Sequence, residues 1–451
     1  MNPGPNATAA VQDKGHEANV AAASPPPPSP SKRLDLYRWL IKKLLPDAAM
    51  PIRVVLWNGD EVATAPGEPI ATVRVRDRNT FLRMLLKPDL EFGEAYSDGR
   101  LVVEGDFPQF LEVFFRAPQP PAAVKLMQRC IGVLSSRPHV NSLGKARDNI
   151  WHHYDIGNDF YRLWLDEQMV YTCAYFPTPT ASLEEAQVAK MEHVCRKLWL
   201  KPGETVVEAG CGWGSLARHM AKYHGVKVRA YNLSHEQIAY ARERARAEGL
   251  DHLVEYVEAD YRTITGQYDV FVSVGMLEHV GLAHYHRLGG LIRRCLRPTG
   301  RGLIHSIGRN QESATNPWLE KRIFPGAYMP CLREMMRIFE PWEFSVLDVE
   351  NLRLHYAKTL EHWLARFERS VDTVRAMFDE RFVRMWRMYL CCSMAGFTSG
   401  SIQLFQVTFA PGRSNDIPWT RDHIYAKAAA VGHGPHHNGF RNGVVTGHGA
   451  L

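Results

Sequence analysis

The stretch Thr205-Val206-Val207-Glu208-Ala209-Gly210-Cys211-Gly212-Trp213-Gly214-Ser215 constrains this chain more than any other. An apolar run ends in an acid, glycines follow at alternate positions, and a helical pattern begins directly after them. This order predicts a buried strand, a tight turn and a helix N-terminus. Glycine permits positive φ and removes the Cβ atoms that would hold a ligand away from the backbone. The helix start adds free N–H groups and the positive end of a dipole. The spacing is E-x-G-x-G-x-G, which is not the G-x-G-x-x-G of dinucleotide-binding turns.

Strand and helix periods alternate beyond the turn. Residues 226–231, 254–258, 269–274 and 302–305 read as strands, and 234–247 as a helix opened by a capping box of Ser234 and Gln237. Upstream, 182–198 reads as a helix capped by Ser182 and Glu185. Such βαβ alternation predicts a doubly wound parallel α/β sheet. Ligands of these sheets bind beyond the carboxyl ends of the strands. Gly210, Asn232, Asp260, Glu278 and His305 are each expected at such an end. Residues 344–351 and 402–409 read as two more strands, separated by helices over 359–396 that are rich in Trp, Phe, Met and Arg. Adjoining strands with a helical insertion between them would form a cover over the site. Residues 149–161 and 171–176 fit neither period and read as loop or lid.

The rest of the chain divides by composition. Residues 1–31, rich in Ala and Pro, are expected to be a disordered tail. Residues 32–116 read as a small α+β domain. It has strands at 52–56, 71–75 and 101–104, an Asn58-Gly59 turn, and helices at 79–86 and 108–116. It carries no convergent acid, base or metal cluster, so lipid binding or oligomerisation is its expected job. Its leading helix, 34–45, either packs on its own domain or touches lipid as a basic interfacial helix. Residues 117–148 are a connector, 149–410 the catalytic domain, and 411–451 a Gly- and His-rich segment expected to be disordered. No apolar run approaches the ~18 residues that span a membrane, and the net charge of +6 suits an anionic surface. Membrane contact is therefore expected to be peripheral. Eight cysteines with no C-x-x-C pair indicate free thiols in a reducing compartment.

The glycine stretch resembles the first motif of S-adenosylmethionine-dependent methyltransferases. A denser resemblance joins it to His153-Tyr154-Asp155-Ile156-Gly157-Asn158-Asp159, Tyr171-Thr172-Cys173-Ala174-Tyr175 and Ser273-Val274-Gly275-Met276-Leu277-Glu278-His279-Val280-Gly281. It continues through His305-Ser306-Ile307-Gly308, Ile323-Phe324-Pro325-Gly326 and Ile402-Gln403-Leu404-Phe405-Gln406-Val407. Over about 145–412 the chain resembles the cyclopropane-fatty-acyl-phospholipid synthase family, which includes the mycolic acid cyclopropane synthases. The resemblance implies a Rossmann-like, seven-stranded methyltransferase sheet with a helical cover. It also implies methylene transfer from S-adenosylmethionine across a cis double bond of an unsaturated phospholipid acyl chain, through a carbocation.

By the same resemblance, Gly210, Gly212 and Gly214 admit the cofactor, and Glu208 anchors the turn or the cofactor's ammonium. Tyr171 and Thr172 close over the sulfonium, and Gln237 reaches the ribose. Asn232 stands where many methyltransferases carry an acid, and Asp260 and Tyr261 read the adenine. A bicarbonate ion is implied as base, held by Cys173, Glu278, His305, the Ile307 backbone and Tyr356. One departure is Ser393, where family members often carry a cysteine; Cys391 and Cys392 flank it with no evident site, so a late cysteine base is not implied. The expected setting is the cytoplasm, at the inner face of the membrane, with a homodimer possible and no metal or nucleic-acid partner. Two alternatives stay open. One keeps fold and cofactor but leaves a methyl or methylene branch. The other is a nucleic-acid methyltransferase, for which no Asn-Pro-Pro-Tyr motif or basic stripe appears.

Overall fold

Two sheets set the architecture of this computed structural model, which describes residues 37, 39–41, 50–116 and 156–425. The expected tail 1–31, the connector 117–148 and the stretch 149–155 lie outside the described residues.

In the N-terminal domain, β1 (Ile52–Val55), β2 (Glu61–Ala63), β3 (Ala71–Val75) and β4 (Leu101–Gly105) form a sheet ordered β2-β1-β3-β4. β1 and β3 run parallel and the other pairs antiparallel. The strands alternate buried and open residues, and the buried row faces helices α1 (Arg78–Leu86), α2 (Pro88–Ser97) and α3 (Phe107–Arg116). Tyr37 packs edge-on against Trp57 and Phe81, and Ile41 is buried. The described part of the leading helix thus packs on its own domain, with Trp39 facing outward.

Helix α2 escapes sequence reading. It opens with Pro88, and Gly93 sits mid-helix, where glycine normally weakens a helix. Docking explains the glycine: a Cβ there would lie 2.5 Å from the Trp318 ring of the catalytic domain. Around this contact Arg322 donates to both Glu94 carboxylate oxygens (2.7 and 2.6 Å), Arg381 to Asp98 (2.8 Å), and the Arg384 guanidinium lies 5.4 Å from the centre of the Tyr96 ring. Gly93→Val is therefore expected to undock the small domain. Limited proteolysis between the two domains should accelerate, while circular dichroism shows both still folded; unchanged proteolysis would show the contact dispensable.

The catalytic sheet contains β5 (Thr205–Ala209), β6 (Lys227–Asn232), β7 (Val254–Glu258), β8 (Tyr268–Val274), β9 (Leu296–Gly308), β10 (Phe344–Asn351) and β11 (Gln403–Pro411). Its order is β10-β11-β9-β8-β5-β6-β7, with β5 to β9 parallel and β11 antiparallel to both its neighbours, β9 and β10. Order reverses at β5, which places the glycine turn at the switch point where such sheets bind ligands. Helices α4 (Leu183–Lys197), α5 (Ser215–His224) and α6 (His235–Ala247) pack on the sheet. Between β10 and β11 the chain leaves to form α7 (Arg353–Arg369), α8 (Val371–Met377) and α9 (Glu380–Ser399), the expected cover.

Four expectations need correction. Residues 158–162 form a short helix with Phe160 and Tyr161 wholly buried, so this part of 149–161 is core, not lid. His305 does not end a strand: β9 runs on to Gly308, and His305 pairs inside it with Gln406 and Val274. The Ser234 cap receives the Gln237 N–H at 3.4 Å, but the Gln237 side chain turns to Asn232 instead of closing a capping box. The segment after 411 begins ordered. Gly412 N donates to Glu343 O (2.7 Å), Arg421 pairs with Asp348 (2.7 Å), and Asp422–Tyr425 is helical with Ile424 buried. These anchors are single residues in a stretch without periodicity, so no pattern announced them.

Candidate active site

All three motif glycines have positive φ, at +86°, +52° and +77°, but they face different things. A Cβ on Gly210 would lie 2.9 Å from Met276, and one on Gly214 2.5 Å from the Tyr256 hydroxyl, which donates to Gly214 O. Gly212 has nothing within 4 Å of that position. The open space of the turn is thus over Gly212, while its neighbours are glycine because the protein itself packs there. Gly210 N and Cys211 N both donate to Tyr231 O (2.9 and 3.1 Å), which ties the turn to β6.

A cleft of about 60 Å³ opens beside the turn, walled by Gly210, Asn232, Asp260, Tyr261, Met276 and His279, among others. The Asn232 amide donates to Gln237 Oε1 (2.6 Å) and Gly212 O (3.3 Å), which fixes the Asn232 side chain in the cleft wall; Gln237, Gly212 and Gly214 are not among the walling residues. Asp260 receives Arg262 through its backbone N (2.9 Å), Nε and Nη2 (2.7 Å each), so its carboxylate is held before any ligand arrives. Burial pushes the Tyr261 phenol up to about 12. Glu208 lies outside the residues walling this cleft. It is buried with Oε2 unpaired, and burial pushes its carboxyl up to about 7 against the opposing pull of Lys190 and Arg218.

A second cavity, about 310 Å³ and mainly apolar, adjoins the first, with His279 lining both. At one end stand Tyr171, Thr172, Gly275, Glu278, Ile307 and Tyr356. The opposite wall comes from the N-terminal domain: Val54, Val75, Phe81, Leu101, Phe110 and Phe115. Glu278 follows β8 at the start of the short helix Leu277–Val280. Its Oε1 accepts from Ile307 N (2.6 Å), Oε2 is buried and unpaired, and burial pushes the carboxyl up to about 7. Burial holds His279 down to about 4. The Tyr171 and Tyr389 hydroxyls are 2.8 Å apart, and Trp164 and Trp363 flank the Tyr171 ring at 5.2 and 5.4 Å. Tyr356 stacks on Phe397.

Cys173 and His305 are not among the cavity-lining residues; both are fully buried. The Cys173 thiol donates to Ala174 O (3.1 Å), and burial pushes its pKa far up. His305 Nδ1 bonds the Gln406 amide (3.0 Å), Nε2 is buried without a partner, and burial, then Lys190 and Lys197, hold the ring neutral at about 3. The structure therefore joins Glu278, Ile307, Tyr356, Tyr171 and Thr172 around one space and sets Cys173 and His305 behind its wall.

Three features escaped sequence reading. The N-terminal domain furnishes cavity wall, which no local pattern reveals because a lining valine reads like a core valine. Met276 and His279 line the cofactor-side cleft within the quoted motif but were assigned no role. Cys392, expected to serve no site, lines the large cavity beside Ser393; burial pushes its thiol up to about 12, so it is held protonated.

The sequence profile of the family described as mycolic acid cyclopropane synthetase matches residues 141–407, and that of a domain of unknown function (DUF7884) matches residues 37–121. A probable fatty acid methyltransferase of Pseudomonas putida is 36% identical over 391 residues, spanning 83% of this chain and 96% of the relative. The cyclopropane-fatty-acyl-phospholipid synthase of Escherichia coli (strain K12) is 37% identical over 359 residues, spanning 78% of this chain and 91% of its own. The crystal structure of mycolic acid cyclopropane synthase CmaA1 complexed with SAH and CTAB aligns with a TM-score of 0.56 at 28% identity, covering 58% of this chain and 97% of that one.

Proposed function

This chain belongs to the mycolic acid cyclopropane synthetase family, and from that membership we propose that it converts a cis double bond of a phospholipid acyl chain into a cyclopropane ring. It is an S-adenosylmethionine-dependent methyltransferase of the cyclopropane synthase type. The observation that carries the finer reading is the apolar cavity of about 310 Å³ that meets the glycine-turn cleft at His279 and ends on Glu278 and Ile307. An acyl chain has the chemistry of that lining, and its double bond would lie where the two spaces join.

S-adenosylmethionine fits the cleft because Asn232 and Asp260 are held in its wall by the protein's own hydrogen bonds and Gly212 leaves the space over the adjoining turn open. When bound, it supplies an electrophilic methyl group to the alkene, which becomes a carbocation and closes its ring on losing a proton from the new carbon. The chain's own contribution is to exclude water and present aromatic faces to the cation, from Tyr171 and Tyr356 in the wall and Trp363 behind Tyr171. Bicarbonate fits the polar end in one respect: Glu278 Oε2 is buried and unpaired there, and this ion offers both donor and acceptor oxygens. By the resemblance Cys173, Glu278, His305, the Ile307 backbone and Tyr356 would hold it and it would supply a base; of these Glu278, Ile307 and Tyr356 line the cavity, while Cys173 and His305 lie behind its wall. The Ile307 N–H is already taken by Glu278 here, so that ligand requires Glu278 to shift.

A second reading follows from the fatty acid methyltransferase relative: the same residues with proton loss elsewhere, leaving a methyl or methylene branch. No helix among the described residues is long and apolar enough to cross a membrane; we assign the protein a peripheral place at the inner membrane face. Mass spectrometry of phospholipids from expressing cells tests the chemistry. The expected product gains one CH2 and loses its olefinic fragmentation. A gain with a retained double bond supports branching, and no gain overturns both readings. Sedimentation with anionic vesicles tests the membrane assignment separately.

A further inference from the structure

Lys190 lies on α4 and is 2% exposed, in a position where a charged amine costs several kcal/mol unless something answers it. Its ammonium donates to Thr172 Oγ1 at 3.0 Å. One turn earlier on the same helix, Gln187 Nε2 donates to Thr172 O (2.9 Å) and Val170 O (3.4 Å). On the far side, the Thr172 methyl lies 3.0 Å from where a Cβ on Gly275 would be. Thr172 is thus clamped between α4 and the end of β8, and its neighbours Tyr171 and Cys173 are held with it. Asp166 fixes the start of this segment, accepting from Gln168 N (3.0 Å) and Val170 N (2.8 Å).

Among the described residues Lys190 forms no contact ion pair, and it lines neither cavity; Thr172 and Tyr171, which it holds, line the larger one.

We infer that Lys190 is a positioning residue of this active site: it holds the Tyr171–Thr172–Cys173 segment in place through Thr172. The inference rests on the reading of Tyr171 and Thr172 as closing over the cofactor. Lys190 lines neither cavity, so it acts through the segment it holds.

The test compares the full chain with Lys190→Met and Lys190→Gln, reading cofactor affinity by calorimetry beside the melting temperature of each. Glutamine keeps a donor for Thr172 without the charge and is expected to retain cofactor affinity within about threefold. Methionine, similar in volume, should weaken cofactor binding on the order of tenfold, the scale of one charge-assisted hydrogen bond. Parent affinity in a folded Lys190→Met protein would overturn the positioning role, and equal losses in both variants would show that the donor to Thr172 does not carry it. A parent that binds no cofactor would overturn the cofactor reading instead.

Discussion

Glu278→Gln is expected to reduce product formation by roughly 10²–10⁴-fold, the usual cost of removing one positioned proton-handling group, while cofactor affinity stays nearly unchanged. The side chain lines the apolar cavity and lies outside the cleft beside the glycine turn. Glutamine keeps the shape and can still accept from Ile307 N, so the loss would report the carboxylate itself. A stability signature accompanies it. The Glu278 carboxyl is raised by burial from 4.5 to about 7, so the folded state binds its proton more tightly than the unfolded chain does. Stability from this group is therefore full below about pH 4.5 and is lost as pH rises towards 7. The variant lacks that loss and should be the more stable protein above pH 7, by up to ~3 kcal/mol for a shift of this size. Denaturant unfolding at pH 5 and pH 8 measures it. Parent-rate turnover in a normally folded variant would remove Glu278 from the chemistry, and an identical pH dependence of stability would show that burial does not hold its proton.

Gly212→Val should weaken S-adenosylmethionine binding on the order of 10²-fold or more, equivalent to at least ~3 kcal/mol. The position combines φ of +52° with open space where a side chain would go. The folded protein therefore bears only the strain of a left-handed residue, about 1–2 kcal/mol, while the added methyls stand where the cofactor must approach. Gly214→Val is the contrasting case. There the new side chain would strike the Tyr256 ring, so loss of fold is expected rather than selective loss of affinity. Calorimetric titration beside thermal melting separates the two. Full affinity in a folded Gly212→Val protein would overturn the cofactor assignment.

What could be read beforehand follows from the range over which each feature is decided. β5 and its turn were legible because an apolar run, an acid and spaced glycines are a local signal, and so was the capping box of Ser182 and Glu185, closed at 3.2 and 2.8 Å. The cover was legible from the two strands that bracket it. Helix α2 was not, because Gly93 is explained by Trp318, far along the chain. The strand read over 302–305 runs on to Gly308 because pairing with β11 carries it there, and that partner lies about a hundred residues along the chain where no local pattern shows it. The separation of Cys173 and His305 from the cavity is a matter of which way side chains face, which spacing alone does not fix. Nor could the cavity be seen, since its wall alternates between residues of two domains.

That shared wall has a thermodynamic consequence. The two domains meet around a space of about 310 Å³, so part of the interior each could offer the other is left to a guest. An apolar chain lying there completes the common core: the free energy that seats it is also free energy of adhesion between domains. By mass action, whatever fills the space tightens the clasp at Gly93 and Glu94, and whatever loosens that clasp weakens retention of the guest. Affinity for a long chain and cohesion of the protein are then one quantity measured from two ends.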